Sequence, residues 1–130
     1  MDTTYHPADI RVFAEQPTVS LVTYRRDGTP VETPVNLAVD GDRAYFRTWT
    51  TSGKAKRLAR NRQVRIAPCT LRGKVTGAAV AAMARPIEGE AADRARRLIE
   101  RKHPFLQGFL VRYAHRVTGR HTVYYEVTPT

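Results

Sequence analysis

The sequence predicts an α+β domain in which an antiparallel sheet of about six strands closes into a small barrel, with helices packed outside. Short runs rich in β-branched and aromatic residues recur along the chain. Turn residues join the early runs as hairpins, and helical periodicity intervenes without the regular strand–helix alternation of a parallel sheet.

Pro7 to Ala14 places Ile10, Phe13 and Ala14 at helical spacing, with Pro7 near the first turn where its missing N–H costs nothing, and predicts a short opening helix. Thr18 to Tyr24 reads as a strand, and Asp27-Gly28 ahead of Pro30 as a hairpin turn. Val31 to Val39 reads as the returning strand. Pro34, having no amide for the ladder, belongs there at an edge, a bulge or an opening. Asp40-Gly41-Asp42 turns the chain into a third strand, Ala44 to Trp49.

The period then changes. Ala55, Leu58 and Ala59 follow Thr50, Thr51 and Ser52, each able to cap, and predict a helix from Ser52 to near Asn61. Val64 to Cys69 gives a fourth strand, and Ala78 to Ile87 a fifth, rich in small residues. Glu90 to Lys102 carries Ala91, Ala95, Leu98 and Ile99 on one stripe, with acids early and bases late as a helix dipole prefers. His103-Pro104 ends that helix, Phe105 to Tyr113 forms a second amphipathic stripe, and Val123 to Val127 is a sixth strand in meander order. The volume left beside Ala78 to Ala82 suits another backbone, a subunit, a planar ligand or plain packing under a helix.

A chain of 130 residues makes one domain, residues 1–130, and 42% apolar content is enough for one core. Its 22 Lys+Arg against 12 Asp+Glu leave a charge of +10, which points to an anionic partner: nucleic acid, a lipid surface or a phosphorylated small molecule. Nucleic acid is the weaker choice, because the aromatics fall in apolar patterns and are not interleaved with cations. No apolar run approaches the roughly 18 residues of a spanning helix, so no membrane partner is expected. The single cysteine, Cys69, and an N-terminus without a signal-peptide pattern point to the cytoplasm.

The sharpest local feature is Arg47-Thr48-Trp49-Thr50-Thr51-Ser52-Gly53-Lys54-Ala55-Lys56-Arg57, a strand ending in hydroxyls that opens a helix loaded with cations. Free amides at a helix start, hydroxyls and ammonium groups together make a phosphate cradle; an ordinary cap followed by a solvated basic face gives the same pattern. A P-loop is excluded, since Thr48 and Ala55 stand where Gly and Ser or Thr are required. His6, His103, His115 and His121 lack ligand spacing, so no metal is expected. Cys69 reads as a buried small hydrophobe, and no nucleophile-elbow or zinc-protease motif occurs.

Phe46 to Asn61 resembles the flavin-phosphate segment of the pyridoxamine-5′-phosphate-oxidase-like split β-barrel proteins, in which an aromatic strand with Thr leads into Ser-x-Lys and an Asn follows seven residues later, as Asn61 follows Lys54. Thr51 to Arg57, Ala67 to Thr70 and Tyr125 to Pro129 are similar to a short actinobacterial branch assigned to the deazaflavin coenzyme F420. The resemblance implies a split antiparallel β-barrel that forms a homodimer, with the cofactor in a groove between subunits. It also implies an F420-dependent oxidoreductase that passes hydride to an electron-poor small organic substrate. A non-catalytic F420 or flavin carrier and a flavin mononucleotide (FMN) enzyme of the same fold are the alternatives. Carried over residue by residue, it puts Pro34, Val35 and Asn36 near the ring edge, and Arg47, Thr48, Thr51, Ser52, Lys54 and Lys56 around the phosphate. Arg57, Arg72 and Lys74 become candidates for an oligoglutamate tail. Lys54, expected to be exposed, would be the principal phosphate contact. Gly53 stands where the FMN enzymes place Arg, which argues for F420 over FMN. No catalytic residue is assigned, since hydride transfer from a cofactor requires none.

Overall fold

The computed structural model describes residues 9–103 and 121–130. β1 (Val19–Tyr24) and β2 (Pro30–Val35) form one hairpin, and β3 (Ala38–Asp40) and β4 (Arg43–Trp49) another. They are followed by α1 (Gly53–Arg60), β5 (Gln63–Pro68), β6 (Val80–Ile87), α2 (Gly89–Lys102) and β7 (Thr122–Pro129). All pairings are antiparallel, in the order β2-β1-β5-β6-β7-β4-β3.

That order corrects the meander and the count. The expected strand Val31 to Val39 breaks at Asn36–Leu37, and its halves become β2 and β3 at opposite edges, so the strands number seven among the described residues. Pro34 sits on the edge strand β2, where its missing amide costs no ladder bond. The break also shows the curl. Three Cα steps of about 3.8 Å join Val35 to Ala38, so the two edges stand within roughly 11 Å of each other. A sheet whose ends are tied by so short a link must roll into a barrel, left split where β2 and β3 do not pair.

Inside the roll lie Val19, Leu21, Val35, Leu37, Ala44, Phe46, Val64, Ile66, Ala82, Ala84, Tyr125 and Val127, with Phe46 and Tyr125 stacked at 5.0 Å. Ile10 and Phe13 join this core from a single 3-10 turn, Ile10–Phe13, where a longer opening helix was expected. The Asp9 carboxylate accepts from the Arg11 amide and caps the start of that turn. Leu58 plugs the core from α1. On the outer face Ala95 and Ile99 of α2 pack on Ala38, Tyr45 and Ile87.

The expected strand Ala78 to Ile87 is β6 and begins at Val80, and the small residues in it and just before it divide in use. Ala82 and Ala84 line the core, Ala81 is exposed, and Gly77 comes so close to Pro68 that a Cβ would lie 2.8 Å from its Cγ. Pro7 and the stripe Phe105 to Tyr113 lie outside the described residues. Among the described residues no helix is long and apolar enough to cross a membrane, and no group of three His, Cys, Asp or Glu could hold a metal.

Candidate functional site

The start of α1 is built locally. Ser52 is extended (φ −71°, ψ 154°), and its hydroxyl accepts from the Ala55 amide at 3.0 Å, the usual satisfaction of one first-turn donor. Thr48, at the end of β4, donates to the same Ser52 oxygen at 3.0 Å and ties the cap to the barrel wall. The Gly53 and Lys54 amides are left among those that a helix start leaves without internal acceptors. The first turn contains no acidic residue.

Lys54 is half-buried rather than exposed, because α1 lies against β1 and β4. Burial pushes its ammonium below the ordinary range, and the charge of Arg57 pushes it further. Arg57 Nε donates to Thr23 Oγ1 at 2.7 Å, and burial and then the charges of Arg25 and Arg60 lower the guanidinium too. Among the described residues no carboxylate forms an ion pair with Lys54, Lys56 or Arg57. This donor set, cationic, partly desolvated and without acids, fits a phosphate group.

Thr48, Ser52, Lys54 and Arg57 are thus brought together, with Thr51 and Lys56 exposed beside them. Arg47 is not brought with them. Side chains alternate along β4, so Arg47 projects from the face opposite Thr48; its side chain is 4% exposed, with Nη1 3.6 Å from Glu100 Oε2 of α2. Pro34 is exposed on β2, Val35 points into the core, and Asn36 Oδ1 accepts from Thr18 Oγ1 at 3.4 Å. These three adjoin Val19, at the end of β1 away from Thr23, roughly 13 Å along the strand. Arg72 is exposed on the β5–β6 hairpin, and Lys74 on the same hairpin donates its amide to Thr70 Oγ1. That hairpin lies beyond Pro68, at the end of β5 remote from Gln63 where α1 leads in.

Two relevant threonines escaped the sequence reading. Thr23 is fully buried and anchors Arg57. Thr33, beside Pro34 in sequence, has a buried hydroxyl without a hydrogen-bond partner among the described residues. Both stand where the alternation of their strands asks for an apolar residue, the signal that could have found them. Cys69 is 5% exposed, and burial followed by the Glu32 carboxylate pushes its thiol up, so it stays a protonated small hydrophobe. Tyr124 is half-buried against the α2 cluster.

Solved structures share the fold. A candidate 5-nitroimidazole antibiotic resistance protein from Bacteroides thetaiotaomicron is 17% identical, with a TM-score of 0.70 over 98% of this chain and 81% of that one. A conserved hypothetical protein of Mycobacterium tuberculosis is 20% identical, with a TM-score of 0.66 over 98% of this chain and 82% of that one. The haem storage protein HutZ from Vibrio cholerae is 17% identical, with a TM-score of 0.59 over 93% of this chain and 87% of that one. No curated protein matches the chain in sequence. At these identities the likeness speaks for architecture alone, whereas the family model for pyridoxamine 5′-phosphate oxidase covers nearly the whole sequence. The chain belongs to the pyridoxamine 5′-phosphate oxidase family, whose model it matches over residues 7–123.

Proposed function

We propose that this chain is a cytoplasmic oxidoreductase that uses the deazaflavin coenzyme F420 against an electron-poor small organic substrate. The observation that carries the reading is the carboxylate-free start of α1, where Ser52, Lys54 and Arg57 surround helix amides that lack internal acceptors. When bound, the cofactor supplies a hydride donor. The protein's part is to hold and aim it. Lys54 offers a charge that burial has stripped of water, so an arriving phosphate regains energy that hydration would otherwise supply. Thr48 fixes the Ser52 cap and thereby the direction of the helix amides. Thr51 and Lys56 flank the phosphate from the exposed side.

Pro34, Val35, Asn36 and Arg72 stand away from α1 in the same chain. We therefore assign the groove to a homodimer in which a second copy brings its own β2 end and hairpin toward α1, with Arg72 meeting the acidic tail. Arg47, held by Glu100 beneath α2, takes no direct part in this scheme. FMN is the second reading, because the Arg57 guanidinium already fills the space over Gly53 from which a preceding Arg is missing.

Titration of F420, FMN and haem against the protein, followed by ligand fluorescence and haem absorbance, tests the proposal. F420 is expected to bind most tightly; tighter FMN or haem binding overturns the choice of cofactor. Reduced F420 that binds without turning over on nitroaromatic or quinone substrates would make the chain a carrier. Sedimentation equilibrium tests the dimer, and a 14.7 kDa monomer would remove the intersubunit groove.

A further inference from the structure

We propose that Thr23 positions the Arg57 guanidinium over the start of α1 as an anion contact, and that glycine at position 53 is the opening through which Arg57 reaches it. This rests on reading the α1 start as the phosphate site, and adds the residue that aims its guanidinium.

Helical side chains lean toward the N-terminus, so Arg57 overlies the residue four positions earlier, which is Gly53. A Cβ on Gly53 would stand 2.9 Å from Arg57 Nη1 and 3.8 Å from Cζ, closer than a real Cβ tolerates for the first contact. The guanidinium therefore occupies the volume that any other residue at 53 would claim. Its second fixed point is Thr23, 34 residues away in sequence, whose buried hydroxyl accepts from Nε at 2.7 Å. Thr23 lies inside the barrel wall, on an interior position of β1 after Val19 and Leu21, and cannot follow a moving side chain.

The consequence is a guanidinium with Nε committed and both Nη groups left for another acceptor, and among the described residues no carboxylate takes them. Arg25 and Arg60 crowd the same charge. A free arginine would lose its rotamer freedom on gripping a phosphate; one already pinned at two points loses much less. Holding an uncompensated cation in one place near helix amides does little for folding and is what an anion site requires.

The test is calorimetric titration of the full-length protein with FMN, F420 and, as a probe without a ring, inorganic pyrophosphate. Thr23→Val keeps the shape and removes the acceptor. It is expected to weaken binding about tenfold, while Thr23→Ser, which keeps the hydroxyl, stays within about twofold of wild type. Arg57→Ala should weaken binding to a similar degree, and adding Thr23→Val to it should cost nothing more. Gly53→Ala should push the guanidinium aside and weaken binding while holding or raising Tm, since Ala is the better helix former. The Arg57 Nε–H resonance should shift in Thr23→Val in the unliganded protein. A merely structural hydrogen bond would lower Tm in Thr23→Val and leave the affinities unchanged, and that result overturns the inference. So does an equal loss on Thr23→Val in the Arg57→Ala background. If the wild-type protein binds none of the three probes, the phosphate site itself falls and the inference with it; if it binds them and Thr23→Val matches it, only the positioning role falls.

Discussion

Two basic regions of the molecule treat charge in opposite ways. Across β4, β7 and β6 the Glu126 carboxylate, 6% exposed, accepts from Arg43 at 3.0 Å and from Arg85 at 2.6 Å. At the start of α1, Lys54 and Arg57 sit half-buried with Arg25 and Arg60 pressing on Arg57 and, among the described residues, no acid paired with either. The first arrangement is what folding asks of a buried ion, namely partners of opposite sign with directed hydrogen bonds. The second works against folding, since desolvation and like charge both disfavour the protonated forms. The difference locates the place where part of the +10 surplus is held without internal compensation.

The comparison breaks first at Lys54. Lys54→Ala is expected to weaken binding of a phosphorylated flavin by ten- to a hundredfold, about 1.5–3 kcal/mol, the loss of one charge-assisted contact. Thermal stability should hold or rise, because the residue removed is a cation that the fold disfavours. With its folded value below the ordinary 10.5, protonated Lys54 opposes folding, and that opposition eases as pH climbs toward 10.5. Calorimetric titration beside a melting curve checks both halves. A large loss of stability with unchanged binding would make Lys54 a structural residue.

Glu126 supplies the opposite outcome. Glu126→Gln should cost about 1–2 kcal/mol of stability, less than for a fully buried pair because Arg43 and Arg85 are more than half exposed and rehydrate. Cofactor affinity should not change. Burial alone would raise the Glu126 carboxyl, but the hydrogen bonds and charges of Arg43 and Arg85 outweigh it and hold the group below its ordinary 4.5. The contribution is therefore complete above about pH 4.5 and lost as acid carries the protein down through the lower folded value. Denaturant melts between pH 7 and pH 3 should show the gap between wild type and Glu126→Gln closing with acid. A gap that stays constant would mean the ion pairs contribute nothing.

What could be read in the sequence was local. The bounds of α1 follow from Ser52 as a cap and from a run of good helix formers, and the two hairpins follow from turn residues that act within a few positions. The break at Asn36–Leu37 has no such mark. Leu37 is fully buried and continues the apolar alternation, so only closure of the sheet shows that the chain changes edges there. The pairings β1–β5 and β4–β7 join distant segments, which local periodicity cannot rank. The site divides in the same way. Thr48, Ser52 and Lys54 fall within seven residues and could be grouped by eye. Arg47 was separable from them by the alternation of β4, in which Phe46 and Thr48 share a side. Thr23 could not be linked to Arg57, because nothing local connects β1 to α1.

The smallest expected effect is the most discriminating. Arg60 closes α1, one turn beyond Arg57 and at the far end from the cap. It is exposed, and it contributes to the field felt by Arg57. If the anion were held by diffuse attraction to a basic helix, Arg60→Ala would remove as much of that attraction as Lys54→Ala. If the cradle is local, the loss should be small, since exposed charges several ångströms further away are screened by salt over about 8–10 Å. Arg60→Ala is accordingly expected to change cofactor affinity by less than about threefold and stability by about 0.5 kcal/mol or less. Raising the salt from 50 to 300 mM should shrink even that difference while leaving most of the Lys54→Ala defect in place, because the partly buried lysine is screened less. Equal defects in the two variants, converging together at high salt, would show that position along the helix does not matter and would remove the distinction between a helix-start site and a generally basic surface.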